Sequence, residues 1–419
     1  MAKKKVDTNT ESVEAAKINL ASVLDKVIEQ KYGYLKAPQP IVTQFNIRPL
    51  DALLGGGLYS STPIMISSTP ETGKSTVAFQ FSSIFQKTYQ DQAVVIYIDV
   101  EGGGNAIVTP SQYFSSRIEQ FGINMDTFRY YPLKVSIGQV FSILDDFFTV
   151  TRELREKANM NPKVLIVWDS IAATPSTKIE GASDPNSVIG YKARELGFYF
   201  EKIAPELAFE QITFIGIDQV RANLQMQDRY APKEKSVGIF KDYKAATSVL
   251  SLNHRVGQWL FLSKKGQILN DTFPDVNGWV LGVYTEKNKF APSKYEIDVV
   301  FDKVRGVDKF WSEFLFLSQL TPTEEKILKK ATSAASRFEV DFPIKNTGAY
   351  FELNYIDEDG TNARYRKKFR KAEAKQLYYN DDEFRELFDR AVDLNVRYRI
   401  LHRMQQTNEE QSHAQSEEG

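Results

Sequence analysis

The chain has 419 residues, of which 42% are hydrophobic, so it is long enough for two or three domains and apolar enough for a sizeable core. Its 53 Lys and Arg residues nearly balance its 54 Asp and Glu residues, which excludes a strongly basic, histone-like protein. The lack of cysteine excludes disulfide scaffolds, thiolate zinc sites, iron–sulfur clusters and cysteine nucleophiles. Three scattered histidines make a multi-histidine metal site improbable.

Residues 1–41 are predicted to form a tail, a helix and a linker for subunit docking. Apolar residues recur at helical spacing from Glu11 to about Lys31, and a proline-rich connector follows at 36–40. The segment lacks the apolar core of a signal peptide, and no run of 18 apolar residues occurs. We therefore expect a cytoplasmic protein without a membrane span.

Between about 42 and 320, short apolar runs alternate with helical stretches. The strands predicted from these runs are 64–68, 94–101, 164–169 and 212–219, and the helices are 74–88, 136–157 and 188–204. This alternation is typical of an α/β fold with a mostly parallel sheet covered by helices. More closely spaced strands at 259–263, 279–285 and 295–301 predict an antiparallel or mixed extension of that sheet.

The remaining part of the chain divides into three predicted segments. Residues 321–340 resemble a polar helical linker. Residues 341–404 predict a small α+β domain with a strand at 350–356 and a charged amphipathic helix at 381–404. Residues 405–419 predict an acidic disordered tail.

A phosphate-binding motif follows the first predicted strand directly. Residues 68–76 match the P-loop pattern Gly-x-x-x-x-Gly-Lys-Ser/Thr, except that Ser68 stands in place of the first glycine. In such a loop, backbone N–H groups and a helix N-terminus cradle phosphates, the lysine neutralises them and the serine offers a hydroxyl to Mg²⁺. The predicted nucleotide-binding residues are Ser68, Thr69, Pro70, Glu71, Thr72, Gly73, Lys74, Ser75 and Thr76.

Polar residues end the neighbouring predicted strands. Glu101 follows one strand and could orient or deprotonate an attacking water. Asp169 ends the next and could join Ser75 at Mg²⁺, while Gln219 ends a third and could sense the γ-phosphate. Because the carboxyl ends of parallel strands meet at one side of the sheet, the sequence predicts an ATPase with ATP and Mg²⁺ as cofactors.

These residues resemble the RecA family of recombinases, in particular its phage RecA/UvsX type. The segments that carry the resemblance are 46–58, 169–181, 217–221 and 286–292, together with the helix end at Tyr32-Gly33. It covers about 11–320 and, more weakly, 341–400. It implies a RecA-like P-loop core, an N-terminal helical polymerisation segment and a small C-terminal α+β domain.

The resemblance also implies roles for single residues. Glu101 matches the catalytic glutamate, and Gln219 matches the residue that couples the γ-phosphate to the second DNA-binding loop. Lys287 and Lys289 match cations that reach the ATP of the adjacent subunit, so hydrolysis would depend on assembly. For stacking on adenine, the candidate is Tyr113.

DNA contacts follow from the same resemblance. It places DNA-binding loops near 175–187 and 221–244. The candidate contacts are Lys178, Arg194, Arg221, Arg229, Tyr230 and Lys244. A basic stretch with aromatics at 364–371 could capture duplex DNA or could be an ordinary charged surface, and the sequence leaves both open.

The leading interpretation is an ATP-dependent recombinase that forms a helical filament on single-stranded DNA and pairs it with homologous double-stranded DNA. Loader and single-strand-binding proteins are expected partners, and the location would be the host cytoplasm for a phage-encoded protein. One alternative is a hexameric helicase with the same core, which the small N-terminal segment disfavours. Another is a non-catalytic DNA-coating filament protein, which only Ser68 favours.

Overall fold

The computed structural model describes residues 26–27, 30, 38–101, 116–178, 191–222, 243–245, 254–268, 273–330 and 342–405. The chain divides into two compact units, Met1–Pro38 and Gln39–Gly419. Most of the predicted N-terminal helix and nearly all of the predicted acidic tail lie outside the described residues. Within the described parts of the chain, every helix is too short or too polar to cross a membrane.

The second unit contains a large sheet and a separate two-stranded antiparallel sheet of β1 (Val42–Thr43) and β2 (Leu58–Tyr59). The strands of the large sheet are β3 (Pro63–Ser68), β4 (Ala93–Asp99), β5 (Phe128–Pro132), β6 (Lys163–Asp169), β7 (Thr213–Ala222), β8 (Tyr243–Ala245), β9 (Gln258–Gln267), β10 (Gly278–Asn288), β11 (Glu296–Asp302) and β12 (Gly306–Val307). Their spatial order is β12-β11-β10-β9-β3-β7-β6-β4-β5, and β8 pairs with β7 off this path.

The six strands from β9 to β5 in this order run parallel to one another. Strand β10 is antiparallel to both β9 and β11, and β12 is antiparallel to β11. The predicted α/β class, with a mostly parallel sheet and an antiparallel extension, is therefore confirmed.

Helices cover both faces of the sheet because the buried strands alternate apolar side chains between the faces. The helices of this part are α1 (Arg48–Leu54), α2 (Lys74–Tyr89), α3 (Arg117–Gln120), α4 (Ile137–Lys157), α5 (Tyr191–Phe209), α6 (Lys309–Ser318) and α7 (Pro322–Lys330). On one face, Val95 and Tyr97 share a hydrophobic core with α2. On the other face, Ile96 and Ile98 share a core with α4 and α5.

Residues 342–405 form a three-stranded antiparallel sheet and two helices. Their bounds are β13 (Ile344–Asn346), β14 (Phe351–Ile356), β15 (Asn362–Arg364), α8 (Lys371–Asn380) and α9 (Asp382–Val396), followed by a π-helical turn at Arg397–Leu401. Leu353, Phe384 and Phe388 belong to the same hydrophobic core as Phe310 and Phe314 of α6. The apolar packing is therefore continuous between this segment and the large sheet.

Helix α5 and strand β5 are two of the places where the structure differs from the sequence-based expectation. Helix α5 was expected to end near 204 but continues through Pro205 to Phe209. Pro205 lies on the exposed side while Ile203 and Leu207 stay buried, so the hydrogen bond that proline cannot donate is lost at the solvent face. Strand β5 was not predicted, because it is a half-exposed edge strand without a continuous apolar run.

Candidate active site

The predicted P-loop joins the end of β3 to the first turn of α2. Glu71 and Gly73 have positive φ angles of 58° and 110°, which turn the chain sharply into the helix. A Cβ atom at Gly73 would lie 2.4 Å from Cζ of Phe301, so both the backbone angle and the space require glycine. The helix begins with the hydrogen bond from Val77 N to Gly73 O, 2.9 Å long.

Ser68 occupies the position where the P-loop pattern has its first glycine. It is the last residue of β3, is fully buried and has no positive φ angle. Its hydroxyl donates to Thr69 O over 2.8 Å. The backbone at this position therefore does not require glycine, and the hydroxyl finds an acceptor within the loop.

The side chain of Lys74 folds back over the loop. Its Nζ lies 3.0 Å from Ser68 Oγ, 3.1 Å from Thr69 O and 3.4 Å from Ser68 O. Burial lowers the pKa of Lys74, and the nearby carboxylates of Asp169, Glu101 and Asp218 oppose that effect. The ammonium group thus lies at the loop, among the carboxylates at the strand ends.

Asp169 and Ser75 form the candidate magnesium side of the site. Ser75 Oγ donates to Asp169 Oδ2 over 2.7 Å, and Tyr97 OH donates to the same oxygen over 2.6 Å. Burial raises the pKa of Asp169 to about 6, although these two hydrogen bonds act to lower it.

A hydroxyl and a carboxylate are ligands that Mg²⁺ accepts, since this ion binds oxygen and usually keeps waters and substrate phosphates. Among the described residues, no group of three or more His, Asp or Glu side chains could hold a metal by itself. Ser75 and Asp169 therefore fit an Mg²⁺ ion whose other ligands are phosphate and water.

Glu101 lies just beyond the end of β4, at the surface of the site. Its Oε1 accepts hydrogen bonds from Ser170 Oγ at 2.5 Å and from Gln219 Nε2 at 2.8 Å. Its backbone N donates to Asp99 Oδ1 over 3.0 Å. The carboxylate is thus held between the ends of β6 and β7, and Gln219 contacts it directly.

A cleft of about 490 Å³ opens beside these groups. Its lining residues are Pro70, Glu71, Gly73, Lys74, Ser75, Thr76, Glu101, Asp169, Gln219, Trp279, Phe301 and Lys303. The structure therefore brings together Lys74, Ser75, Glu101, Asp169 and Gln219 as the sequence predicted.

Trp279, Phe301 and Lys303 were not predicted at this site. Trp279 on β10 pairs with Phe301 on β11, and the two rings stack with their centres 4.9 Å apart. Lys264 Nζ lies 4.2 Å from the centre of the Trp279 ring. No local sequence motif indicates that these residues belong to the site. They reach the cleft only because strands that are distant in sequence from the P-loop pair beside it.

The two lysines predicted to act at ATP do not lie in this cleft. Lys287 pairs with Trp259, which in turn pairs with Met65 near the start of β3. Lys289 N bonds Gly257 O just beyond that pairing. Both lysines are at the opposite end of the strands from the P-loop, because β10 runs antiparallel to β9. Any role for them at a nucleotide therefore requires a second copy of the chain.

Two of the predicted DNA contacts line a second cleft, of about 420 Å³. Lys178 and Arg194 lie there with Tyr191 and Phe198, and Lys178 Nζ is 4.4 Å from the centre of the Tyr191 ring. The cleft is at the start of α5 and at the described base of the predicted first loop. It is a basic surface with aromatic side chains.

The structure describes only some of the other residues predicted to contact DNA or adenine. The backbones of Arg221 and Lys244 pair directly where β7 meets β8 antiparallel, so the ends of the predicted second loop are joined. Tyr113, Arg229, Tyr230 and most of both predicted DNA-binding loops lie outside the described residues.

Three of the six basic residues in the stretch 364–371 form ion pairs with acids. Arg364 and Lys368 form ion pairs with Glu352, and Arg366 pairs with the carboxylates at the start of α9. The aromatic rings of Tyr365 and Phe369 are buried. The ion pairs neutralise part of this surface, and both interpretations, a charged surface and a site for duplex DNA, stay open.

Comparison of the sequence with protein-family models finds no matching family, and comparison with curated proteins finds no match.

Proposed function

We propose that this protein is a P-loop ATPase that binds ATP and Mg²⁺ in the cleft at the carboxyl ends of β3, β4, β6 and β7. The observation that carries the proposal is that five side chains line that cleft together: Lys74, Ser75, Glu101, Asp169 and Gln219. They come from four separate parts of the sequence. A chance Gly-Lys-Ser tripeptide would not be accompanied by these partners.

Each group has a chemical task. An Mg²⁺ ion, when bound, would supply positive charge to the phosphate oxygens. Ser75 and Asp169 would hold this ion, and Lys74 would exchange its contacts with Ser68 and Thr69 for phosphate oxygens. Glu101 is an exposed carboxylate at the strand ends, where it can accept a proton from an attacking water.

Gln219 links the candidate active site to the predicted second DNA-binding loop. Its amide donates to Glu101, and three residues further on β7 ends at Ala222, where it pairs with β8. A change in the Glu101–Gln219 contact can therefore be transmitted along one strand to the ends of that loop. This path supports coupling between ATP binding at the cleft and DNA binding at the loop.

We further propose that the ATPase is a DNA recombinase that forms filaments on single-stranded DNA and promotes pairing and strand exchange with double-stranded DNA. The motif resemblance and the basic, aromatic cleft around Arg194 support the DNA partner. The motif resemblance of Lys287 and Lys289 supports a filament, in which these lysines, which lie away from their own chain's cleft, would act on a neighbour's nucleotide.

The first test is steady-state ATP hydrolysis with and without single-stranded DNA. Wild-type protein is expected to turn over faster with DNA, and Lys74→Ala is expected to lose about 100-fold or more of that rate, since it removes a charge aimed at the transferred phosphate. Lys87→Ala is the matched control, because Lys87 is an exposed lysine at the other end of α2 and should leave the rate unchanged.

The alternatives give different results. Tight DNA binding without turnover in wild-type protein would contradict the ATPase and indicate a non-catalytic filament. Closed hexamers that translocate along DNA, seen by electron microscopy and unwinding assays, would indicate a helicase. DNA-stimulated turnover together with strand exchange between homologous DNA molecules would support the recombinase.

A further inference from the structure

We infer that the second cleft is a base-stacking site for single-stranded DNA, with the ring of Phe198 as its platform. The motif resemblance assigned Lys178 and Arg194 to DNA but gave no role to Phe198. This inference rests on the proposed DNA-dependent function and specifies how the DNA is held.

Phe198 is in the middle of α5 with 66% of its surface exposed, the largest fraction of any large hydrophobic side chain in the described parts of the chain. Its neighbours on the helix, Leu196 and Phe200, are fully buried against the sheet. The helix therefore does not need Phe198 for packing within this chain. A single exposed hydrophobic residue is common, so its surroundings decide what it means.

Those surroundings combine aromatic rings with positive charge. Arg194 lies four residues before Phe198, so both side chains are on one face of α5. Lys178 stands over the ring of Tyr191, which lines the same cleft. The Phe198 ring meets Tyr199 edge-on at 5.4 Å, and Tyr199 is stacked against Phe141 at 4.5 Å, so the platform has a packed support.

One acid, Glu195, lines the cleft together with the two cations Lys178 and Arg194. Glu195 accepts hydrogen bonds from the hydroxyls of Ser176 and Thr177, which hold its carboxylate against the chain. Lys178 and Arg194 thus give the cleft a positive balance.

Single-stranded DNA matches this combination. It is a flexible anion whose bases present flat π-faces, and bases stack on exposed aromatic side chains while phosphates contact nearby cations. A duplex hides those faces within its own stack, so the site favours the single strand. An Arg one turn away from the ring can contact the phosphate next to the stacked base.

The test compares two fluorescent strands of equal length, oligo-dT and an abasic oligonucleotide, by anisotropy titration. Phe198→Ala is expected to weaken binding of oligo-dT by about tenfold and to leave binding of the abasic strand unchanged. Phe198→Trp is expected to retain the preference for dT. Phe209→Ala is the matched control, because Phe209 is a partly exposed phenylalanine at the far end of the same helix and does not line the cleft.

Two results would overturn the inference while leaving the proposed function intact. One is a Phe198→Ala variant that binds both strands as tightly as wild type. The other is an oligomeric state that changes in Phe198→Ala without DNA, with unaltered preference for dT, which would make this face a contact between protein chains. Failure of wild-type protein to bind any single-stranded DNA would instead contradict the proposed function itself.

Discussion

At the scale of single residues, Ser68 shows how a departure from a motif can be accommodated. The P-loop pattern has glycine there, yet the positive φ angles of this loop fall at Glu71 and Gly73 instead. Ser68 keeps the extended backbone of β3, and its hydroxyl lies 3.0 Å from Lys74 Nζ. The serine therefore changes the surroundings of the lysine rather than the path of the chain.

Removal of this hydroxyl should strengthen nucleotide binding. Ser68→Ala and Ser68→Gly both remove one of the loop oxygens that Lys74 must leave to reach a phosphate. A hydrogen bond to a charged group contributes about 1.5 kcal/mol or more, so we expect the dissociation constant of a fluorescent ATP analogue to fall by roughly tenfold.

The pair of variants separates the hydroxyl from the backbone. If only Ser68→Gly binds more tightly, backbone freedom and not the hydroxyl limits the affinity. Equal affinity of Ser68→Ala, Ser68→Gly and wild type would show that the contact between Ser68 and Lys74 does not oppose nucleotide binding.

At the scale of elements, the register of the parallel strands builds the magnesium side of the site. Asp99 and Asp169 are direct partners on β4 and β6, and Tyr97 and Tyr130 are direct partners on β4 and β5. Each tyrosine hydroxyl donates to the aspartate of a neighbouring strand, Tyr97 to Asp169 and Tyr130 to Asp99. The ring of Tyr97 is stacked on Phe79 of α2, with the ring centres 4.5 Å apart, so helix and strands together fix the direction of Asp169.

Loss of the Tyr97 hydroxyl should disturb this arrangement without loss of core volume. We expect Tyr97→Phe to lower the free energy of unfolding by about 1–2 kcal/mol, because the buried carboxylate of Asp169 loses one of its donors. The Mg²⁺ concentration for half-maximal ATP hydrolysis should rise a few-fold. Chemical denaturation and Mn²⁺ binding in the presence of ADP, followed by electron paramagnetic resonance, measure the two effects.

Tyr130→Phe provides the comparison for this prediction. It removes the same atom from the adjacent strand but affects Asp99 instead of Asp169. It should therefore leave the metal affinity near that of wild type. A Tyr97→Phe protein with wild-type stability and wild-type Mn²⁺ binding would contradict the assigned role of the hydroxyl.

At the scale of the whole second unit, Arg48 connects three helices that are distant in sequence. Its guanidinium donates to both carboxylate oxygens of Glu313 on α6, at 2.9 and 2.7 Å, and to Asp389 on α9 at 2.7 Å. The side chain of Glu313 is fully buried. The helix ahead of the P-loop is thereby joined to the C-terminal segment through one charged centre.

Removal of this arginine should destabilise the unit strongly. Arg48→Ala leaves the buried carboxylate of Glu313 without its charged partner, and breaking such a pair costs about 3 kcal/mol. Urea unfolding followed by tryptophan fluorescence measures the change. Arg385→Ala, which breaks an exposed ion pair with Asp382, should change the free energy of unfolding by less than about 0.5 kcal/mol. Similar small effects in both variants would contradict a joining role for Arg48.

Much of the fold and of the candidate active site could be predicted from the sequence. The residues of the P-loop are contiguous in sequence, so the order of strand, loop and helix can be predicted there without tertiary information. The buried strands β3, β6 and β7 are nearly continuous apolar runs that end in polar residues. Because parallel strands place those ends together, Lys74, Asp169 and Gln219 could be assigned to one site before any distance was known.

Only the tertiary structure determined which other side chains line that site. Trp279 and Phe301 reach the cleft through pairing of β10 with β11, and the antiparallel direction of β10 carries Lys287 away from it. The exposure of Phe198 depends likewise on which side of α5 packs against the sheet. Sequence determines local conformation and the order of strands along the chain, whereas the neighbours of a side chain depend on long-range pairing and packing that no local pattern encodes.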